Sequence, residues 1–323
     1  MNAPDQPIDD ATFRKENPMA EFLRMERMPH IWCPGCGIGT VVTSFAEAVK
    51  ASGMAMDDIA VVSGIGCTGR VAGYVRFDSF HTTHGRAIPF ATGLKLANPK
   101  LKVVVVSGDG DLASIGGNHL IHAARRNMDL TVICVNNFTY GMTGGQVTPT
   151  TPNMANASTT PYGNYEHPFS LPFLVDAAGG TFVARWTSLH ARNITKSIGE
   201  ALNHKGFSFI EVIAPCTTLY QRRNRLGDGL DALHYYRDDA GIEHGLDTRM
   251  ADIGYQGQIA MGKFVDKQQT TYHEAMQAHY VNVIGDDYEL YGKTPMEKKA
   301  EEEARKSATG DAEDPVHHGG DDD

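Results

Sequence analysis

The chain has 323 residues, 41% of them hydrophobic, and a formal net charge of −10. This length and apolar content suit one large α/β domain with extensions, and no apolar run reaches the about 18 residues that would suggest a membrane helix. The acidity is concentrated at one end, with nine acidic against two basic residues between Glu301 and Asp323, and no basic face with interleaved aromatics points to nucleic acid.

Residues 1–28 read as an N-terminal arm. Met1 to Glu16 is polar and acidic, without the basic-then-apolar pattern of a signal peptide, so a cytoplasmic protein with no membrane partner is expected. Pro29 to Gly37 form a loop holding Cys33-Pro34-Gly35-Cys36. Thr40 to Ala51 has helical spacing, with Val41, Phe45, Ala48 and Val49 on one side. Ile59 to Ser63 reads as a short strand ended by Gly64-Ile65-Gly66-Cys67, and Arg86 to Ala97 as a helix stopped by Asn98-Pro99.

Two β-branched runs follow, Leu101 to Ser107 and Leu130 to Val135, of the kind that form buried parallel strands. Leu112 to Asn127 between them reads as the crossover helix of a βαβ unit. Phe138 to Tyr165 is rich in Gly, Thr and Pro and long for a loop, so it is either functional or disordered. Ser170 to Ala178 and Ser188 to Asn203 read as helices, Thr181 to Trp186 and Phe207 to Ala214 as strands. The alternation over 29–226 predicts an α/β fold with a doubly wound, mostly parallel sheet. Beyond it, 227–292 read as an irregular C-terminal extension with short helices, and 293–323 as an acidic, disordered tail.

Gly108-Asp109-Gly110 closes the first β-branched run and Asn136-Asn137 closes the second. A carboxylate and an amide would then stand side by side at the carboxyl ends of adjacent strands, where open α/β sheets bind ligands. Hard oxygen donors there suit Mg2+ shared with phosphate oxygens and water. Five cysteines in a soluble chain argue against a disulfide framework and towards metal binding or catalysis. Cys33, Cys36, Cys67 and Cys216 all fall in loops and could converge at one sheet edge, where four thiolates suit either a [4Fe–4S] cluster or structural zinc. Cys134 lies inside an apolar strand and reads as a small hydrophobe.

Five segments in order carry a resemblance: 32–37 (WCPGCG), 64–70 (GIGCTGR), 81–86 (HTTHGR), 108–111 (GDGD) and 136–146 (NNFTYGMTGGQ). Together they resemble the β subunits of 2-oxoacid:ferredoxin oxidoreductases, most of all the 2-oxoglutarate branch, over roughly Pro29 to Asn224. The resemblance implies a thiamine diphosphate (ThDP) diphosphate-binding domain and a [4Fe–4S] cluster on Cys33, Cys36, Cys67 and Cys216. It implies Mg2+ on Asp109, the Asn137 side chain and the Thr139 carbonyl. Gly66, Cys67, His84, Gly108, Gly110, Asp111, Gly141, Met142 and Thr143 would complete the cofactor site. Arg70 and Met142 are the candidates for substrate contact, and His84 and Arg70 for catalysis.

The implied reaction is oxidative decarboxylation of a 2-oxoacid to its acyl-CoA, with coenzyme A as co-substrate and ferredoxin as electron acceptor. In the family, the glutamate that activates the aminopyrimidine lies on a separate pyrimidine-binding domain. Only one βαβ-rich domain is read here, so an α subunit is expected to supply that glutamate in an α2β2 or similar heteromer. Two alternatives stay open: the same chemistry on pyruvate or another 2-oxoacid, and a zinc-stabilised nucleotide-binding scaffold.

Overall fold

Residue alternation along the central strands builds a sheet with both faces buried. On β3 (Lys102–Gly108), Val104 and Val106 enter one core while Val103 and Val105 enter the other. The same division sends Ile133 and Val135 of β4 (Leu130–Asn136) to the first core, and Leu130, Val132 and Cys134 to the second. A period of two on a strand covered on both sides gives the near-continuous apolar runs seen in the sequence. Cys134 is fully buried there, as a structural cysteine should be. The structure, a computed structural model, describes residues 17–285, Tyr288 and 295–309.

The remaining strands are β1 (Ile59–Ser63), β2 (Asp78–His81), β5 (Phe182–Thr187), β6 (Phe207–Ile213), β7 (Ala240–Ile242) and β8 (Ile259–Asp266). They form one eight-stranded sheet in the order β2-β1-β3-β4-β6-β5-β8-β7. The pairs from β2 to β5 are parallel, β8 runs antiparallel to β5, and β7 is parallel to β8. Helices α1 (Ile38–Ser52) and α5 (Ala191–Asn203) feed the first core; α2 (Ala87–Ala97), α3 (Gly117–Arg125) and α4 (Leu171–Ala177) feed the second. This is the expected doubly wound, mostly parallel α/β fold. After β1 the chain steps outward to β2, then returns through α2 to β3 on the other side of β1, so the topological switch point lies between β1 and β3.

The structure departs from the sequence expectations at four places. The expected single crossover helix is divided: a π-helical turn, Gly110–Ile115, precedes α3, and the two meet at Gly116-Gly117. Such wide turns concentrate at functional sites. Residues 17–28 are not a free arm; Met19, Phe22, Leu23 and Met25 are buried in the first core. The Arg24 N–H donates to the Tyr74 carbonyl (2.8 Å) and Arg24 Nε to that of Val75 (2.7 Å).

The segment expected as an irregular extension instead supplies α6 (Gly229–Asp239), β7 and β8, and the compact unit runs to Met276. Its helix start is well marked: Asp228 accepts from the N–H groups of Leu230 and Asp231, and Asp231 accepts from Asp228 N–H, a reciprocal capping box. Helix α7 (Tyr272–Ile284) follows. In the second unit, Gln277–Asp323, residues Pro295–Thr309 of the expected disordered tail form helix α8. It carries i,i+4 ion pairs Lys299–Glu303 and Lys306–Glu302. The rest of that tail, and residues 1–16 of the arm, lie outside the described residues. Among the described residues no helix is long and apolar enough to cross a membrane.

Candidate functional site

The parallel register of β3 and β4 sets Gly108 opposite Val135, so the two strands end level and deliver Asp109 and Asn137 to the same edge. Loops leaving β1, β2, β3 and β4 at that edge enclose one cleft. Gly66, Cys67, His84, Gly108, Asp109, Gly110, Asp111, Asn137, Thr139, Gly141, Met142 and Thr143, all expected from sequence, line it together with Ile65, Thr68 and Tyr140. A second pocket beside it is lined by Cys33, Cys36, Cys67 and Cys216. The two share Cys67, Asn137, Gly141 and Met142 as a common wall.

Asp109 is 2% exposed, and burial pushes its carboxyl up to about 6, against the opposing effect of hydrogen bonds from Thr150, Thr148 and the N–H groups of Asn137 and Gly110. Thr150 Oγ1 donates to Asp109 Oδ2 at 2.6 Å. Asn137 Oδ1 accepts from Thr139 N–H at 3.4 Å. The turn carrying these two residues is strained, because Phe138 between them sits in the left-handed region at φ 61°.

Asp111 lines the cleft, yet its carboxylate is engaged by its own chain. Oδ1 accepts from Gly85 N–H (2.8 Å) and Ile65 N–H (3.2 Å), and Oδ2 from Ser107 Oγ (2.7 Å). His84 Nδ1 stands 2.6 Å from Oδ1, at ion-pair distance but not aligned for a directed hydrogen bond. Asp111 therefore fastens the β1 and β2 loops to the start of the π-turn. Gly110 is required by its neighbour: a β-carbon there would stand 2.4 Å from the ring of Tyr140. Arg70, three residues after Cys67 on the 3-10 turn Thr68–Gly73, is exposed and lines neither pocket.

The four cysteines come from the loop before α1, the end of β1 and the end of β6, and none of them forms a disulfide. Trp32 ties two of these segments, its indole N–H donating to the Cys67 carbonyl at 2.8 Å. Burial raises the Cys36 thiol and pushes Cys67 up to about 11, and the neighbouring cysteines add to both shifts. Among the described residues no three His, Cys, Asp or Glu side chains close on a point tightly enough for a single ion.

Sequence reasoning missed Thr150 and Tyr140. Thr150 lies 41 residues from Asp109, in a Thr/Pro-rich loop whose composition signals only a turn. That loop is ordered: Thr148, Thr150, Thr151 and Asn164 are buried in it, and Thr151 Oγ1 donates to the Phe138 carbonyl at 2.7 Å.

Residues 64–212 match the family of thiamine pyrophosphate enzyme C-terminal TPP binding domains. The 2-oxoglutarate synthase subunit KorB of Methanothermobacter thermautotrophicus is 50% identical over 256 residues, 79% of this chain and 89% of its own. KorB of Methanocaldococcus jannaschii is 46% identical over 260 residues, covering 80% and 96%. A solved 2-oxoglutarate:ferredoxin oxidoreductase from Magnetococcus marinus, with 2-oxoglutarate, coenzyme A and succinyl-CoA bound, superposes with TM-score 0.74 at 30% identity over 90% of this chain and 96% of its own. On both the cleft and the likeness, this chain belongs to the β subunits of the 2-oxoacid:ferredoxin oxidoreductases, in the 2-oxoglutarate (KorB) branch.

Proposed function

We propose that the cleft holds the diphosphate end of ThDP through Mg2+ bound by Asp109, the Asn137 side chain and the Thr139 carbonyl. A [4Fe–4S] cluster is assigned to Cys33, Cys36, Cys67 and Cys216. The overall reaction is conversion of 2-oxoglutarate and coenzyme A to succinyl-CoA and CO2, with the electrons leaving to ferredoxin, or its reverse. The observation that carries this assignment is the shared wall of Cys67, Asn137, Gly141 and Met142, which sets the two cofactor sites against each other.

The residues present fit both groups. A β-carbon at Gly66 (φ +116°) would meet nothing within 4 Å, and one at Gly108 nothing nearer than 3.8 Å, so both glycines leave backbone open to a diphosphate. The buried Asp109 carboxylate, hard to ionise alone, is suited to a divalent cation. Burial makes the Cys36 and Cys67 thiols hard to ionise alone, which suits them to hold a metal as thiolates, and the four cysteines line one pocket. When bound, ThDP supplies an electron sink for decarboxylation and the cluster takes up electrons singly.

The chain's own groups then have distinct tasks. His84, whose Nδ1 stands 2.6 Å from Asp111 Oδ1, lines the cleft and is assigned to proton transfer there. Met142 supplies an apolar contact at the junction of the two pockets. Arg70, although it lines neither pocket, is the exposed cation three residues after Cys67 and is assigned to the distal carboxylate of the substrate. The aminopyrimidine end and its glutamate are assigned to an α subunit in an α2β2 or similar heteromer.

The test is anaerobic co-purification with the α partner, metal analysis, and a screen of 2-oxoacids for coenzyme A-dependent viologen reduction. A brown complex reducing viologen best with 2-oxoglutarate is expected. Preference for pyruvate would overturn the substrate, and a colourless zinc protein would overturn the cluster.

A further inference from the structure

Beneath the cleft lies a charged chain of contacts that the chemistry above does not use. Arg185 on β5 and Glu211 on β6 are register partners, each 1% exposed or less. Arg185 Nε donates to Glu211 Oε2 at 2.6 Å and its guanidinium to the Ala251 carbonyl at 2.5 Å. The other carboxylate oxygen, Oε1, accepts from Asn136 Nδ2 on β4 at 2.7 Å. Asn136 Oδ1 in turn accepts from Phe138 N–H (3.1 Å) and lies 3.0 Å from Thr150 Oγ1, the hydroxyl that donates to Asp109.

The orientation of the Asn136 amide is dictated at both ends. A carboxylate only accepts, so the NH2 must face Glu211; the Phe138 N–H only donates, so the oxygen must face the turn. That turn needs holding. A non-glycine residue in the left-handed region costs on the order of 1–3 kcal/mol and persists only where its surroundings over-determine it. The two groups that clamp the Phe138 peptide units are Asn136 Oδ1 on its N–H and Thr151 Oγ1 on its carbonyl. The turn sends Asn137 and Thr139 into the cleft. A buried ion pair is weak support for stability, since apolar replacement of both partners is often neutral or better; fixing one amide is a task an apolar pair could not perform.

We propose that Glu211, neutralised by Arg185, is a positioning residue for the metal end of the cleft: it fixes Asn136, which holds the left-handed turn at Phe138 and so sets Asn137 and Thr139 relative to Asp109. This rests on the assignment of Mg2+ and ThDP to the cleft.

Glu211→Gln is the near-isosteric test. Arg185 claims the remaining oxygen, the new amide NH2 then faces Asn136 Nδ2, and Asn136 must turn its oxygen away from Phe138. In the anaerobically purified heteromer stripped of ThDP and Mg2+, calorimetric titration of ThDP at a series of Mg2+ concentrations should show half-saturation at about tenfold higher Mg2+ or more. Asn136→Ala should give a comparable rise, and the double variant should be no worse than Asn136→Ala alone. Glu211→Gln that melts lower but keeps wild-type Mg2+ dependence would overturn the proposal, as would effects that multiply in the double variant. Should Glu211→Gln fail to assemble, unchanged Mg2+ dependence in Asn136→Ala is sufficient to overturn it. A wild-type heteromer that binds no Mg2+-ThDP would instead overturn the assignment of the cleft.

Discussion

Gly141 faces Cys216 so closely that a β-carbon on it would stand 3.5 Å from Cys216 Sγ and 3.6 Å from Cys67 Sγ. The residue dividing the cofactor cleft from the cysteine pocket therefore has room for one methyl group and no more. Gly141→Ala is expected to retain iron at the wild-type level. Gly141→Val, with two further carbons directed into the thiols, should lose most of it. Iron analysis and the visible sulfur-to-iron absorption of the two variants check this, and a fully loaded Gly141→Val protein would remove the cluster from this pocket.

Asp109 gives the site a pH dependence of definite sign. Burial pushes its carboxyl up to about 6 from 3.8, so between those values the folded chain keeps a proton that the unfolded chain has released. Stability of the metal-free protein due to this group is then highest at acid pH, falls as pH rises from about 4 to about 6, and is level above that. Mg2+ needs the ionised carboxylate, so its affinity should weaken as pH falls below about 6. Asp109→Asn should stabilise the metal-free protein near neutral pH by about 1–3 kcal/mol, with little gain near pH 4, while abolishing Mg2+-dependent ThDP binding. Thermal denaturation without metal across that pH range, alongside ThDP titration, separates the two effects. Retained ThDP affinity in Asp109→Asn would contradict the metal assignment.

The parts of the fold legible in the sequence are those in which burial is two-sided and local. β3 and β4 are uninterrupted β-branched runs because both faces are covered, and their ends announce Asp109 and Asn137. β2 is an exposed edge strand of Asp, Ser, Phe and His, with no apolar run to mark it. β8 carries Gly262 at φ +146°, and its pairing with β5 shifts register between Val183 and Ala184, so the interrupted alternation of Ile259, Met261 and Phe264 hides a strand. The cleft-lining residues were legible because they cluster in short motifs. Thr150 and Glu211 were not, because each acts through contacts spanning tens of residues that only the sheet brings together.

Phe22 tests the correction to the N-terminal arm. Its ring stacks on Phe77 with centroids 5.9 Å apart, and it is 6% exposed. Removing a buried aromatic ring loses its transfer energy and leaves a cavity, so Phe22→Ala should cost about 3–5 kcal/mol. A free arm would tolerate the change. Denaturant unfolding of the variant, with the slope compared to wild type, distinguishes the outcomes, and an unchanged midpoint would return residues 17–28 to the status of an arm.

Asp111 sits in the same Gly-Asp-Gly-Asp motif as Asp109, yet its carboxylate serves the protein rather than a ligand. Oδ1 receives the Ile65 and Gly85 N–H groups, and Oδ2 receives the Ser107 hydroxyl. An asparagine can reproduce this arrangement: its oxygen keeps the two backbone donors, and its NH2 donates to Ser107, whose hydroxyl can also accept. Alanine leaves the buried Gly85 N–H and the part-buried Ile65 N–H without their acceptor, the buried one alone costing about 1–3 kcal/mol. The expected order of melting temperature is therefore wild type, then Asp111→Asn slightly lower, then Asp111→Ala far lower. ThDP affinity should follow the same order, because the loops carrying Gly66 and His84 lose their common fastening. A metal-ligating Asp111 would behave differently: Asp111→Asn would keep its melting temperature while losing Mg2+ dependence as completely as Asp109→Asn.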